Sequence, residues 1–183
     1  GGVRHVARLE RSAGHALRPA VDQPFCLRAS AYGALENLAV RPLVRRAPGP
    51  REVEIRVAAA SLNFKDVLYT LGLLQEFSER AGIARAVDQP LGFECAGTVV
   101  AVGDGVDRFA VGDEVFAAGA SCLASHVTTG VELVAHRPDG LSLAEAAALP
   151  TVFTTAIHAL HRLAGLRRGV RVLLHPAAGG VGQ

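Results

Sequence analysis

Hydrophobic and polar residues alternate in the first clearly patterned part of the chain. Val53, Ile55 and Val57 are separated by the charged residues Glu54 and Arg56. Apolar residues at every second position predict a β-strand with one buried face. Further short apolar runs, some separated by glycine–aspartate turns, predict a compact β-barrel or sandwich. These runs cover residues 95–102, 114–117, 123–128 and 132–136.

Helical periodicity appears in two other places. At residues 64–71, apolar side chains recur at helical intervals, which predicts a short helix that Gly72 ends. Ser142 and Glu145 form a capping-box pattern ahead of an alanine-rich run. We expect Pro150 to stop the helix that this capping box begins.

The segment after residue 150 has the pattern of an α/β domain. Thr151 is expected to cap a second helix that ends before Gly165. An apolar run at residues 170–174 predicts a strand, and it leads directly into the clustered glycines of residues 179–182. A strand followed by such a turn opens a dinucleotide-binding βαβ unit, which holds pyrophosphate at the next helix. A tight turn between two elements is the alternative interpretation of the glycines.

Composition excludes several classes of protein. The chain has 183 residues, of which 50% are hydrophobic and 20% charged, and this is the balance of a globular protein. The net charge is +2, and acids and bases are interspersed, so no surface for nucleic acid is predicted. No apolar run approaches the roughly 20 residues that span a bilayer, so no membrane contact is predicted.

The cysteines indicate a reducing compartment. Cys26, Cys95 and Cys122 are far apart and form no Cys-x-x-Cys pair. This spacing predicts neither a disulfide framework nor a structural zinc site. We therefore expect a cytoplasmic protein.

Five stretches carry motifs of a known family. They are SLNFKDVL at 61–68, LGFECAG at 91–97, GDEV at 112–115, ALPTVFTTA at 148–156 and AAGGVG at 177–182. With these motifs the chain resembles the medium-chain dehydrogenase/reductase superfamily, in its quinone-reductase-like branch. Within that superfamily it is similar to the enoylreductase domain of a modular polyketide synthase.

The resemblance implies an α/β protein with a particular domain order. Residues 1–22 would form a linker with one strand, and residues 23–150 a GroES-like β-barrel that binds substrate. Residues 151–183 would supply the connecting helix, first strand and glycine turn of a Rossmann domain. On this interpretation the chain stops within the first cofactor-binding turn and is inactive by itself.

The function implied by the resemblance is NADPH-dependent reduction of a 2-enoyl thioester on an acyl carrier protein. Hydride would go to the β-carbon and a proton to the α-carbon, and neighbouring synthase domains would be the partners. Two alternatives stay open. One is a stand-alone NADPH quinone or enone reductase of the same superfamily, and the other is a barrel domain without catalytic activity.

The resemblance also implies site residues. Asn63, Asp66 and Tyr69 are the catalytic candidates. For Asn63, helix capping is the competing interpretation, and for Tyr69 it is core packing. For Lys65 and Asp66, the alternative is that both are solvated charges in the first turn of the helix. Leu74 stands where many polyketide enoylreductases carry a tyrosine that donates a proton, so such a donor is absent there.

The cofactor-binding candidates lie in three segments of the chain. Lys65 and Thr155 would be near the nicotinamide, although the Thr155 hydroxyl has its own helix as an alternative partner. The glycine turn would bind the pyrophosphate through Gly179, Gly180, Val181 and Gly182. No metal is expected, because asparagine at 63 and Phe93 replace the cysteine and histidine ligands of the zinc-dependent relatives.

Overall fold

The computed structural model describes residues 23–175 and 178–182. Its strands are β1 (Phe25–Ala29), β2 (Leu38–Pro42), β3 (Glu52–Ala60), β4 (Glu94–Val102), β5 (Glu114–Ala118), β6 (His126–Gly130) and β7 (Val134–His136). Its helices are α1 (Phe64–Thr70), α2 (Gln75–Arg80), α3 (Leu143–Ala146) and α4 (Leu149–Ile157), and α4 continues as a π-helix over His158–Leu163. The predicted linker and strand at residues 1–22 lie outside the described residues.

Strands β3 to β7 form one antiparallel sheet in the order β6-β3-β4-β5-β7. The strand predicted from alternation is β3, which pairs with β4 on one side and β6 on the other. Strands β1 and β2 form a separate antiparallel pair. Its first strand reaches the segment before β6, where Cys26 forms a bridge with Ala124 and the Leu27 N–H donates to the Leu123 carbonyl at 2.8 Å. The predicted barrel-like β domain is therefore confirmed.

The core follows from the alternation in the strands. Val53 and Ile55 of β3 are fully buried, and Cys95 and Val99 of β4 join them on the same side of the sheet. Ala96 of β4 faces the opposite side. There it packs with the buried Ala146 and Ala147 at the end of α3. The alanine-rich run that was predicted to be helical is thus the cover on the second face of the sheet.

The helix after the capping box differs from the prediction. Ser142 and Glu145 do form the capping box, because the Ser142 Oγ accepts from the Glu145 N–H at 3.2 Å and the Glu145 Oε2 accepts from the Ser142 N–H at 2.8 Å. Pro150 does not stop this helix. It lies in the first turn of α4, where its missing N–H costs nothing. The N-cap of α4 is Ala148, so Thr151 lies inside the helix and does not cap it.

The prediction of a strand at residues 170–174 was wrong, because the described residues form no strand there. Residues 170–174 are irregular, and the Leu173 side chain is 87% exposed. An apolar strand of a parallel sheet needs paired strands beside it and cover on both faces. No described strand lies beside this run, so its sequence has nothing to pair with. The prediction also missed β1, β2 and α2. The two strands are short and show no regular alternation of apolar and polar residues, and Phe77 is the one apolar residue of α2.

One helical stretch of the described residues, Leu143–Leu163, is long and apolar enough to span a membrane by length and composition alone. Its sequence did not predict a membrane span, because Glu145 and His158 interrupt the apolar run. Core helices of soluble proteins pass the same test. In this protein the first part of the stretch packs on the sheet, where Ala146 and Ala147 are buried.

Gly97 provides a test of the β3–β4 pairing. A Cβ at this position would overlap the Arg56 carbonyl oxygen of the neighbouring strand. We expect Gly97→Ala to lower the free energy of unfolding by about 3 kcal/mol or more, as overpacked or strained core sites do. The matched control is Gly82→Ala, where a Cβ meets nothing within 4 Å and only the positive φ of 81° is unfavourable.

Both Gly97→Ala and its control are measured by urea unfolding. The Gly82→Ala control should cost about 1–2 kcal/mol, the cost of a left-handed backbone at an L residue. Equal losses in the two variants would contradict the close approach of β3 and β4 at this point.

Candidate functional site

A cavity of about 580 Å³ lies where the first turns of α1 and α4 meet the sheet. Its walls come from four parts of the fold: the start of α1, the strands β4 and β5, the helix α4, and the glycine turn. The lining residues are Asn63, Phe64, Lys65, Phe93, Ala118, Gly119, Pro150, Thr151, Thr154, Thr155 and Val181. The structure therefore brings together four of the predicted site residues, which are distant in sequence.

A buried carboxylate connects two walls of this cavity. Glu94 is 2% exposed, and its Oε1 accepts a hydrogen bond from the Asn63 Nδ2 at 2.9 Å. Its Oε2 accepts from the Thr151 N–H at 2.8 Å. Thr151 lies in the first turn of α4, where backbone N–H groups lack partners within the helix and negative charge is favoured. Glu94 thus fixes the position of α4 relative to Asn63.

Asp66 positions the turn that carries Asn63. Its side chain is buried, and its Oδ2 accepts from the Asn63 N–H at 3.0 Å while its Oδ1 accepts from the Gly92 N–H at 2.7 Å. The carboxylate does not line the cavity, and both of its oxygens are engaged by backbone donors. The catalytic role predicted for Asp66 stays a prediction. Its observed contacts are those of a positioning residue.

Lys65 and Tyr69 lie one turn apart on α1 and share contacts with Phe93. The Lys65 Nζ is 5.4 Å from the Tyr69 ring centroid and 5.1 Å from the Phe93 ring centroid. The two rings are stacked, with centroids 6.2 Å apart and planes at 26°. Tyr69 is half-buried and packs against Phe93 without lining the cavity. Lys65 and Phe93 both line the cavity.

Of the cofactor candidates on α4 and the glycine turn, Thr155 and Val181 line this cavity, whereas Gly179, Gly180 and Gly182 do not. The Thr155 hydroxyl donates to the Thr151 carbonyl at 2.7 Å, which is the bond within its own helix that the sequence left open. In the glycine turn, the Gly182 N–H donates to the Gly179 carbonyl at 2.9 Å. Val181 is the residue of this turn that lines the cavity.

Two free thiols lie behind the wall of the cavity. Cys95 and Cys122 are fully buried, and the Cys122 thiol donates to the Gly119 carbonyl at 3.5 Å. A hydrogen bond with Cys95, followed by burial, raises the pKa of the Cys122 thiol above its ordinary value. The Cys122 side chain therefore stays neutral. It acts as a small packing residue behind Gly119 and not as a nucleophile.

Several lining residues were missed in the sequence. Ala118 and Gly119 belong to no motif, so no signal marked them. Thr154 lies in the family stretch at 148–156, where Thr155 was the residue predicted for the site. Thr151 contributes its backbone N–H, which has no sequence signature. In the described part of the chain, no group of three or more His, Cys, Asp or Glu side chains is placed to hold a metal. The prediction of a metal-free site, made from Asn63 and Phe93, stays a prediction.

A second cavity, also of about 580 Å³, lies on another part of the sheet. It is lined by residues 56–60 of β3, which include Arg56, by Ala124 and Ser125 before β6 with His126 at its start, and by Gln23, Pro24, Phe25 and Arg45. Burial and then the charge of Arg45 lower the pKa of His126. None of the predicted site residues lies here, so the cavity beside α1 and α4 is the candidate functional site.

Comparison with known proteins places the chain in a family. Residues 49–162 match the alcohol dehydrogenase GroES-like domain. The chain therefore belongs to the alcohol dehydrogenase GroES-like domain family, and the GroES-like domain that the resemblance predicted is confirmed.

Curated proteins similar to this chain include polyketide synthases. The chain is 43% identical over 153 residues to Erythronolide synthase EryA2 of Saccharopolyspora erythraea, a match that covers 82% of this chain and 4% of that protein. It is 39% identical over 187 residues to the Mycoketide-CoA synthase of Mycobacterium tuberculosis (strain ATCC 25618 / H37Rv), covering 100% of this chain and 4% of the relative. The chain thus spans a small part of these large relatives.

Solved structures are similar to this chain as well. The CurK enoyl reductase has a TM-score of 0.85 and 48% identity, with 88% of this chain and 49% of that chain covered. The quinone oxidoreductase from Coxiella burnetii has a TM-score of 0.75 and 26% identity, with 88% and 51% covered. The fold and the relatives are thus those of polyketide enoyl reductases, and the chain spans about half of these structures.

Glu94 gives a test of the site's construction. In Glu94→Gln, an amide group replaces one acceptor oxygen, so either the Asn63 Nδ2 or the Thr151 N–H faces a donor. We expect the free energy of unfolding to fall by about 2 kcal/mol, the range for losing a buried charged acceptor. The control is Glu114→Gln, whose side chain is 46% exposed and pairs with Arg137. After discounting for solvent screening, that exposed pair contributes about 0.5 kcal/mol.

Urea unfolding of the two glutamate variants measures the difference. Losses of equal size would show that the Glu94 bridge does not hold α1 and α4 together.

Proposed function

We propose that the chain forms the substrate-binding part of an NADPH-dependent enoylreductase that acts on 2-enoyl thioesters carried by an acyl carrier protein. The observation that supports this most is the cavity that joins Asn63, Lys65 and Thr155 with Val181 of the glycine turn. The similarity of the chain to the CurK enoyl reductase also supports enoyl reduction. The chain would work next to other synthase domains in the cytoplasm, with the barrel at 23–150 and the cofactor domain beginning at 151–183.

The cavity suits a thioester with an apolar acyl chain. Apolar walls are provided by Phe64, Phe93, Ala118, Pro150 and Val181, and the polar groups are few and lie together. Ligand sites of this kind combine a mostly apolar pocket with a small number of placed polar groups. An acyl chain would lie along the apolar walls, with its thioester near the polar groups of α1.

The residues present fit the nicotinamide end of NADPH. The Asn63 amide and the Thr155 hydroxyl, which still has free lone pairs, would hold a carboxamide. The backbone N–H groups of the glycine turn would face pyrophosphate, and an added Cβ at Gly180 meets nothing within 4 Å. When bound, NADPH supplies the hydride that adds to the β-carbon.

The chain's own residues would orient the reactants and exclude water. Glu94 holds Asn63 and the first turn of α4 in fixed positions, so the groups that contact the ligand are set before it binds. Phe64 and Phe93 would cover the reacting carbons. The reaction is completed when a proton is added to the α-carbon, which turns the enolate into the saturated thioester.

A quinone reductase is the second candidate function, because the Coxiella burnetii quinone oxidoreductase shares the fold. The test uses a protein in which this chain is continued by a complete nucleotide-binding domain. We expect NADPH-dependent reduction of a crotonyl thioester with higher kcat/KM than that of a simple quinone, because a quinone lacks the thioester carbonyl. Carrier-bound crotonyl thioester should be preferred over the free thioester, because contacts to the carrier add positioning.

Steady-state rates on the crotonyl thioester and the quinone decide between the two functions. More efficient reduction of the quinone would reject the enoylreductase proposal and favour a quinone reductase. Reduction of neither substrate, by a folded protein that binds NADPH, would favour a barrel domain without catalytic activity.

A further inference from the structure

Lys65 is the charged side chain that lines the cavity. No Asp, Glu, Arg or His lies among the other lining residues of the described chain. It is also the only lysine in the sequence. In the part of the chain that the structure describes, no ion pair involves Lys65. The nearby carboxylates of Asp66 and Glu94 are engaged by other donors.

Two aromatic rings hold the ammonium without neutralising it. Tyr69 and Phe93 lie 5.4 Å and 5.1 Å from the Lys65 Nζ, which is within the range of a cation–π interaction. An ammonium has three N–H donors, and a ring face restrains the cation while leaving its charge in place. In the described part of the chain no ion pair engages the Lys65 ammonium, so its N–H donors are available to an acceptor in the cavity.

The stability of α1 does not explain a cation at this position. Lys65 is the second residue of α1, in the first turn, where the helix dipole favours negative charge and disfavours positive charge. Asp66 provides the favourable charge in this turn. A residue whose charge is unfavourable for its helix, but which lines a cavity, points to a functional contact.

We propose that the Lys65 ammonium donates a hydrogen bond to the thioester carbonyl oxygen and stabilises the negative charge that develops there. The inference rests on the proposed enoylreductase function. Hydride addition at the β-carbon forms a C–H bond, moves the π electrons of the C=C bond toward the carbonyl and leaves an enolate oxygen. The enolate then takes a proton at the α-carbon from water, which gives the saturated thioester. Lys65 keeps its own proton throughout.

A fixed hydrogen-bond donor accelerates a reaction most when it faces a charge that develops only in the transition state. The carbonyl oxygen of the bound thioester is nearly neutral, whereas the enolate oxygen carries a negative charge. A preorganised cation therefore binds the transition state better than the substrate and raises kcat more than it lowers KM. The cofactor phosphates carry the same charge before and after the reaction, so a phosphate contact would mainly affect NADPH affinity.

The test compares Lys65→Met, which keeps the length of the side chain, with Lys65→Arg, which keeps the charge. Both are made in the protein with a complete nucleotide-binding domain. Arg108→Met is the matched control, because Arg108 also lies over an aromatic ring, at 5.3 Å from Phe109, but does not line the cavity. For each variant, kcat and KM are measured with crotonyl thioester, and the NADPH Kd is measured by fluorescence titration.

We expect Lys65→Met to lower kcat about 10²-fold, as loss of one oxyanion donor does, with the NADPH Kd unchanged within about twofold. Lys65→Arg should recover most of the loss, and Arg108→Met should match the wild type. A higher NADPH Kd with unchanged kcat would assign Lys65 to the cofactor phosphates and overturn the inference. Unchanged kcat and Kd would show a surface lysine. A wild-type protein that does not reduce the thioester overturns the proposed function itself.

The rings of Tyr69 and Phe93 form an aromatic cage around the Lys65 ammonium. Two variants of Tyr69 test whether this residue only forms the cage or also donates a proton. Tyr69→Phe keeps the ring and removes the hydroxyl, whereas Tyr69→Leu removes the ring. If Tyr69 only confines the ammonium, we expect Tyr69→Phe to stay within about tenfold of the wild-type kcat and Tyr69→Leu to lose more. A loss of about 10²-fold or more in Tyr69→Phe would make Tyr69 the proton donor.

The same cage has a readout that does not depend on activity. This experiment uses the 183-residue chain, in which Lys65 is the only lysine, so that reductive methylation with ¹³C labels one side chain and the terminal amine. We expect the ¹³C-methyl proton resonance of Lys65 to be shifted upfield by the two rings and to move toward its ordinary value in Tyr69→Leu. A resonance at the value of a free lysine in the wild type would contradict the cage.

Discussion

The site depends on one buried carboxylate. Glu94 lies at the start of β4, where the strand leaves the core, and its two oxygens bind two elements that are far apart in sequence. One oxygen holds the Asn63 side chain and the other holds the first turn of α4. A buried charge without partners is strongly unfavourable, so both donors must stay in place for the protein to fold as observed. The cavity between α1 and α4 follows from this constraint.

Strand positions were largely predictable, because burial imposes a period of two residues. The alternation at Val53, Ile55 and Val57 identified β3, and the predictions for β4 and β5 agree with the structure within one residue. The capping box of Ser142 was also predictable, since it depends on two side chains a fixed distance apart. Such features are local and are visible in the sequence.

The wrong predictions concern interactions that the local sequence does not contain. Pro150 breaks a helix in the interior but favours one in the first turn, and only the position of the helix start decides between these outcomes. The apolar run at 170–174 has the composition of a strand, yet pairing requires partner strands, and none is present in the described residues. Backbone partners and packing partners decide these cases.

The same distinction applies to the site. Asn63, Lys65, Thr155 and Val181 were predicted through the family resemblance, and the structure places all four at one cavity. Their arrangement depends on Glu94, which was not among the predicted site residues. The cage around Lys65 depends on Phe93, which the sequence presented only as a replaced zinc ligand. Contacts between distant segments assigned these two residues their roles.

The central claim is that the cavity between α1 and α4 holds the reacting ends of cofactor and substrate. A crystal structure of the chain with a complete nucleotide-binding domain, bound to NADP⁺ and a crotonyl thioester, tests this most directly. The account predicts the nicotinamide near Asn63 and Thr155, with the thioester oxygen within hydrogen-bond distance of the Lys65 Nζ. Ligand density in the other cavity, beside Arg56 and His126, with none between α1 and α4, would contradict it.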